Sequence, residues 1–342
     1  MLVTIFLFYV AIPCSRAEVT KDKVNLIYDS QKDANYNPIQ VYVNGAFDVT
    51  QNPHYFNQND FFKKHREFWF RIRSPLSSIE NYGGAKHFFG NELFSSRVVP
   101  NLTLHTIGSG YDFRMMKEYF EANDVTHSGI YAGLVTFLIH AGNEALETSS
   151  PRLDPTDHIA DIYIFDAMAI PLFLNDDIAR FFVQDLGLVH WHFLPTYLPK
   201  EENFVNAGLN YVIRPPSLGD KIRPMIYFGM QVMGGASYFI NSANTLSIAS
   251  GVYYTDPLEG KTQWSWGAFY EQNNRLAASL LINSTNDYDW RLNLYPTLLN
   301  YKKHSFGMFL ANDDKNGDPA MKTKEWIMGL LYELPIGLGM TL

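Results

Sequence analysis

The sequence predicts a mainly β protein, an antiparallel outer-membrane-type β-barrel of about 10–12 strands that carries a helical insert. Three observations predict it. The first segment has the form of an export signal. The C-terminal half alternates apolar with small or polar residues at period two. That alternation runs to the last residue. Composition agrees: charged residues are 18% of the 342, aromatics 15%, and 27 Lys+Arg against 35 Asp+Glu leave a net charge of −8. Charge is therefore below the roughly 25% of an average soluble protein. An acidic chain with no basic block excludes a nucleic-acid partner. The single cysteine, Cys14, excludes a disulfide framework and a cysteine-based zinc site.

Residues 1–17 read as a signal peptide. An apolar run from Leu2 to Ile12 is too short to span a membrane, and Ser15-Arg16-Ala17 places small residues where a signal peptidase reads. Residues 18–110 read as a β-rich segment, with strand-like pieces at 39–43, 67–72 and 101–107 between polar loops. Lys63, Lys64, His65, Arg66, Arg71 and Arg73 form a small basic patch, expected to be a solvated face. Residues 111–180 read as a helical insert, periplasmic or plugging the barrel. One helix covers 112–122. A second covers Ser128–Glu147, with Ile130, Leu134, Phe137, Ala141 and Ala145 on one stripe. A third covers 156–170, capped by Thr156 or Asp154 and stopped by Pro171.

Residues 181–342 read as the barrel strands. Trp264, Trp266, Ala268 and Tyr270 alternate with Ser265, Gly267, Phe269 and Glu271. Leu276, Ala278, Leu280 and Ile282 form a similar set, as do Tyr288, Trp290, Leu292 and Leu294. Further strands are expected at 206–213, 225–234, 246–254 and 304–310. Side chains on a strand point to opposite faces in turn, so each stretch has one apolar face. Trp326, Met328, Leu330, Tyr332, Leu334, Ile336, Leu338, Met340 and Leu342 continue the pattern, with a turn near Pro335. Alternation alone does not tell inside from outside. Small residues on the polar face and aromatics near strand ends favour lipid on the apolar side.

The candidate site is acidic. His140, Glu144 and Glu147 lie on one helix face at i, i+4 and i+7, and Asp157, His158, Asp161 and Asp166 follow on the next helical segment. A hairpin would bring these carboxylates together, and carboxylates held close must shift a pKa or take a cation. The competing reading has them capping helices, facing water, or pairing with Arg180, Arg114 and Arg152. His190 and His192 share a strand face and are the nearest approach to a metal pair, but no metal set or cofactor is expected. No nucleophile elbow, zinc-protease helix, P-loop or dinucleotide loop is present.

The run Asn143-Glu144-Ala-Leu-Glu147, then Asp154-Pro-Thr-Asp157-His-Ile-Ala-Asp161, then Ile164-Phe-Asp166, resembles an uncharacterised family of Gram-negative envelope proteins. These have an exported start, an acidic helical segment and a β-barrel-like C-terminal half. The resemblance implies architecture and address and carries no activity. The expectation is an outer-membrane protein, structural or a small pore and leaning away from catalysis. Its partners would be outer-membrane lipid and, during insertion, the barrel-assembly machinery. A lipid-modifying envelope enzyme and a soluble periplasmic binding protein are the alternatives.

Overall fold

The computed structural model describes residues 25–52, 56–95, 97–148, 154–216, 219, 221–256, 260–283, 288–301, 304–313 and 325–342. The expected signal segment, Cys14 and Arg152 lie outside the described residues. The chain is mixed, 41% helical and 31% strand, so the mainly β expectation is corrected.

The correction comes from the first half, where every strand-like piece is helical. Helix α1 (Pro38–Ala46) contains 39–43. Asn37 caps it by accepting the Ile39 amide, and Pro38 takes the first position, where no N–H is needed. Helix α2 (Phe61–Arg73) contains 67–72 and buries Lys64, Phe68 and Ile72 at a spacing of four. Helices α3 (Pro75–Asn81) and α4 (Gly84–Glu92) follow. The third piece belongs to a π-helical run, Asn101–Gly108, that passes directly into α5 (Ser109–Ala122). Period two was misleading here because short apolar runs do not separate a strand from a helix buried on several sides. The basic patch also divides: Lys64 is buried, and its Nζ donates to the carbonyls of Asn57 and Leu146, both at 2.7 Å.

Helix α6 (Ser128–Glu147) forms where the sequence placed it. It is the hub of the helical half. Gly142 lets it approach α1 closely, since a Cβ there would lie 2.8 Å from Ala46 Cβ. Phe68 and Ile72 of α2 pack on its Ala141 and Ala145. The expected third helix is three pieces: α7 (Asp157–Ala160), a π-helical run Asp161–Phe165, and α8 (Asp166–Leu174), which runs through Pro171. Helix α9 (Asp176–Arg180) and a last π-helical run, Phe181–Asp185, lead to the sheet.

The strands are β1 (Val189–His190), β2 (Thr196–Leu198), β3 (Asn203–Val205), β4 (Tyr211–Ile213), β5 (Ile222–Phe228), β6 (Gln231–Phe239) and β7 (Asn244–Asp256), continuing with β8 (Lys261–Gln272), β9 (Arg275–Ile282), β10 (Tyr288–Leu294), β11 (Asn300–Tyr301), β12 (His304–Asp313), β13 (Glu325–Tyr332) and β14 (Gly337–Thr341). The expected strand at 225–234 is in fact the hairpin of β5 and β6. From β4 to β10 and from β12 to β14 each strand pairs antiparallel with its neighbour, and β10 pairs with β12. The order starts at β1 and ends with β14, β2 and β3; β11 joins β12 off this path. The two ends, β1 and β3, do not pair, so the ladder is not closed. Asn273 and Asn274, both at positive φ, make the two-residue turn between β8 and β9. Leu342 and Trp326 exchange both backbone hydrogen bonds, so pairing reaches the final residue.

The sheet has an apolar exposed face and a mixed buried one. Ile226, Val232, Ile248, Trp264, Trp266, Ile282, Trp326, Leu338 and Met340 are exposed. Their strand neighbours Met233, Ser247, Ser265, Glu271, Ser279, Arg291 and Asn293 are buried. The interior is filled around Trp191, Phe193, Tyr227, Phe269 and Leu281. The helical half is bonded to the sheet: Asn44 Nδ2 donates to the Phe193 carbonyl at 3.1 Å, and Asp48 Oδ1 accepts the Leu209 amide at 2.6 Å.

Candidate functional site

The predicted acids converge inside the helical half. Glu144, Asp157, His158, Asp161, Asp166 and His140 are all buried. Glu147, three residues after Glu144 on α6, is only partly buried and takes Asn143 Nδ2 at 3.3 Å. Asp154 stands apart, joined to His87 Nε2 at 2.7 Å. The reading of these acids as solvated caps fails for all but these two.

Sequence reasoning missed a further set, because 18–110 was read as β. Glu92 of α4, Arg97, Arg71 of α2 and His105 of the first π-helical run all enter the cluster. A signal for His105 was available: Asn101, His105, Ser109 and Asp112 are polar at helical spacing, and all are buried. Arg97 bonds Asp157 Oδ2 at 2.5 Å and Glu92 Oε1 at 3.2 Å.

The tautomer of His158 follows from its partners. Its Nδ1 lies 2.6 Å from Glu144 Oε2, and the Arg71 guanidinium stands 3.5 Å from Nε2. Arginine only donates, so Nε2 accepts and Nδ1–H donates to Glu144. Burial pushes the His158 pKa down to about 4, which keeps this ring neutral.

His105 sits at the centre. Its Nε2 faces Glu144 Oε1 at 3.7 Å and Asp161 Oδ2 at 4.0 Å. Its Nδ1 faces Asp166 Oδ1 at 3.2 Å and His140 Nδ1 at 3.1 Å. Burial opposes a charge on His105, but Asp161, Asp166 and Glu144 together outweigh it and hold its pKa well above the usual range. Burial pushes His140 down to about 4. It raises Glu144 to about 8 and, helped by Asp157, Glu92 to about 9; Asp161 is also held well above a normal carboxyl, first by burial. Asp157 Oδ1, Asp161 Oδ1, Asp166 Oδ2 and Glu92 Oε2 are buried without a hydrogen-bond partner. An excess of carboxylates over cations in a dry site must be balanced by protons or by a bound cation.

His190 and His192 are also brought together, their ring centroids 3.9 Å apart. Asp112 orients His190: its Oδ1 lies 2.7 Å from His190 Nδ1, and its Oδ2 accepts the Tyr211 hydroxyl at 2.8 Å. Both rings line a cavity of about 100 Å³ with Tyr36, Tyr111 and Arg275. Among the described residues the three-ligand groupings centre on His105, not on this pair. No family model, curated protein or solved structure matches the chain.

Proposed function

We propose that this is a bacterial outer-membrane protein whose sheet closes into a barrel and meets lipid with its outer face. Its role is structural within the envelope. The carrying observation is the inversion of the sheet. Tryptophan, isoleucine, leucine and methionine cover the exposed face, while serine, asparagine and the ion pair Arg214–Glu271 are inside. In water this arrangement is unfavourable by about 25 cal/mol per Å² of apolar surface left exposed. Against hydrocarbon it is the expected one. A soluble binding protein would need a polar outer face on β10. The buried residues there are Tyr288, Arg291 and Asn293, and the outward apolar ones are Trp290, Leu292 and Leu294.

Closure is supported by register. Val189 faces Val212 and Thr196 faces Val205. Advancing from Val189 to Thr196 covers as many residues as returning from Val212 to Val205. The Trp191 amide also reaches the Asn210 carbonyl at 2.8 Å. The strands β1 and β2 thus read as one segment, and β3 and β4 as its antiparallel partner, with one interrupted ladder between them. Because β2 also pairs with β14, that first segment is bonded on both edges, which supports a return of the sheet to its start. Counted this way the number of strands is odd. This departs from the even number of bacterial single-chain barrels, and the parallel pairing of β14 with β2 is its geometric consequence. The filled interior favours a structural role over an open pore.

The test uses single-tryptophan variants of the full chain folded into phosphatidylcholine vesicles. Chain-brominated lipid quenches Trp266 strongly and the interior Trp191 weakly. Equal quenching of both, or migration on gels that is the same with and without boiling, refutes the reading. One observation favours an enzyme as the second reading: the acids and histidines of the helical half converge in a buried cluster.

A further inference from the structure

We propose that the helical half holds one divalent transition-metal ion, bound by His105 Nδ1, His140 Nδ1 and Asp166 Oδ1. The three atoms form a triangle with sides of 3.1, 3.2 and 3.4 Å. Metal–ligand bonds of about 2.0–2.1 Å set tetrahedral ligands about 3.3–3.4 Å apart, so the triangle is one face of such a site.

With an ionised Asp166, hydrogen bonding leaves at least one side of the triangle unfavourable. Each ring nitrogen carries at most one proton, and an ionised carboxylate carries none. If both nitrogens donate to Asp166, two N–H groups oppose each other across 3.1 Å. If His105 donates to His140, the His140 lone pair faces the carboxylate oxygen. A cation at the centre makes all three contacts favourable at once. The second oxygen of Asp166 is a separate observation: it is buried, has no partner, and belongs to a residue that is 8% exposed.

The surroundings have the form of a metal site's outer shell. A histidine bound through one nitrogen donates its other N–H to a carboxylate, which fixes the ring and raises its basicity. His105 Nε2 faces Glu144 and Asp161, and Glu144 is held in turn by His158 Nδ1. One ligand lies in irregular helix and another adjoins it: His105 is in the π-helical run Asn101–Gly108, and Asp166 opens α8 directly after the run Asp161–Phe165. Such π-helical turns occur frequently at functional sites. Two imidazoles and one carboxylate suit zinc or ferrous iron over calcium or magnesium, which prefer oxygen. Three protein ligands leave a coordination position for water or substrate. The inference stands on this cluster alone and does not depend on the membrane reading.

The test is titration of the chelator-stripped full chain with Co²⁺ and then Zn²⁺. One equivalent of Co²⁺ binds, with the visible absorption of a site of low coordination number, and Zn²⁺ displaces it and raises the melting temperature. His140→Ala and Asp166→Asn each weaken binding by roughly 10–100-fold or more, while His192→Asn leaves it unchanged. Circular dichroism of the metal-free variants checks their fold, and Asp166→Asn, nearly isosteric, is the one expected to fold without metal. Failure of the wild-type chain to take up one equivalent overturns the proposal. So does stoichiometric binding that survives Asp166→Asn.

Discussion

The buried ion pair inside the sheet allows a prediction in which two substitutions together cost less than either alone. Glu271 is 1% exposed and Arg214 5%. Arg214 Nη2 lies 2.5 Å from Glu271 Oε2, and its Nε donates to Ser237 Oγ at 2.9 Å. Glu271 Oε1 accepts the Trp191 indole N–H at 3.0 Å. Glu271→Leu removes the anion and leaves a guanidinium buried without a counter-charge, a change that costs about 3–5 kcal/mol. Arg214→Met strands the carboxylate and costs a similar amount. The double variant buries no charge, and its loss is chiefly the unpaired Trp191 N–H, about 1–3 kcal/mol, since the Ser237 hydroxyl keeps Ser247 Oγ at 2.7 Å. With total stability on the order of 5–15 kcal/mol, the difference is readily measured. The assay is urea unfolding of the folded full chain, followed by tryptophan fluorescence, for all four members of the cycle. A loss below about 1 kcal/mol for Glu271→Leu refutes the reasoning. A double variant less stable than both singles refutes it too.

Three further outcomes are expected. Glu144 has its folded pKa raised to about 8, so the metal-free protein holds a proton there that the unfolded chain releases above its ordinary value of 4.5. Stability from this group is full below pH 4.5 and declines as pH rises towards 8. His158, lowered to about 4, acts oppositely, losing stability as pH falls below its ordinary 6.5. Urea midpoints therefore fall with pH between 6.5 and 8, where Glu144, Glu92, Asp161 and His105, all raised, act in the same sense, and Glu144→Gln makes the slope shallower by its own share. Gly142→Val drives a side chain into Ala46, against which a Cβ would already stand at 2.8 Å, and lowers stability by about 1–3 kcal/mol in a thermal melt. Tyr211→Phe removes the hydroxyl from buried Asp112 and costs about 1–3 kcal/mol in the same urea assay, without altering metal uptake at His105.

The second half was legible because its signal is local. Strand faces follow from period two alone, so Trp264, Trp266, Leu280 and Leu338 could be assigned to one face before any fold was known. The helix Ser128–Glu147 was legible in extent, but its expected stripe divides: Ala141 and Ala145 are buried, whereas Ile130 and Leu134 are exposed and Ala132, Thr136 and Ile139 take the core side. The grouping of Glu144, Asp157, Asp161 and Asp166 followed from their closeness along the chain.

The first half was not legible, because its helices bury residues on several sides and mask their own period. Phe68, Trp69 and Phe70 are consecutive aromatics that read as a strand; in α2 they point three ways, and only Phe68 is fully buried. His105 was lost with that misreading, although it stands at the centre of the cluster. No local rule brings residue 105 beside residues 140 and 166; that took the packing of the π-helical runs against α6. The sequence alone determined the alternation of the strands, the shared face of residues such as Trp264 and Trp266 and the existence of an acidic helical segment, since these depend on neighbours a few positions away; Leu276 and Tyr288, beside register shifts, turn inward instead. Only the tertiary structure decided that the apolar face points outward, that β14 pairs with β2, and that His105 faces three carboxylates, since these depend on contacts between residues distant in sequence.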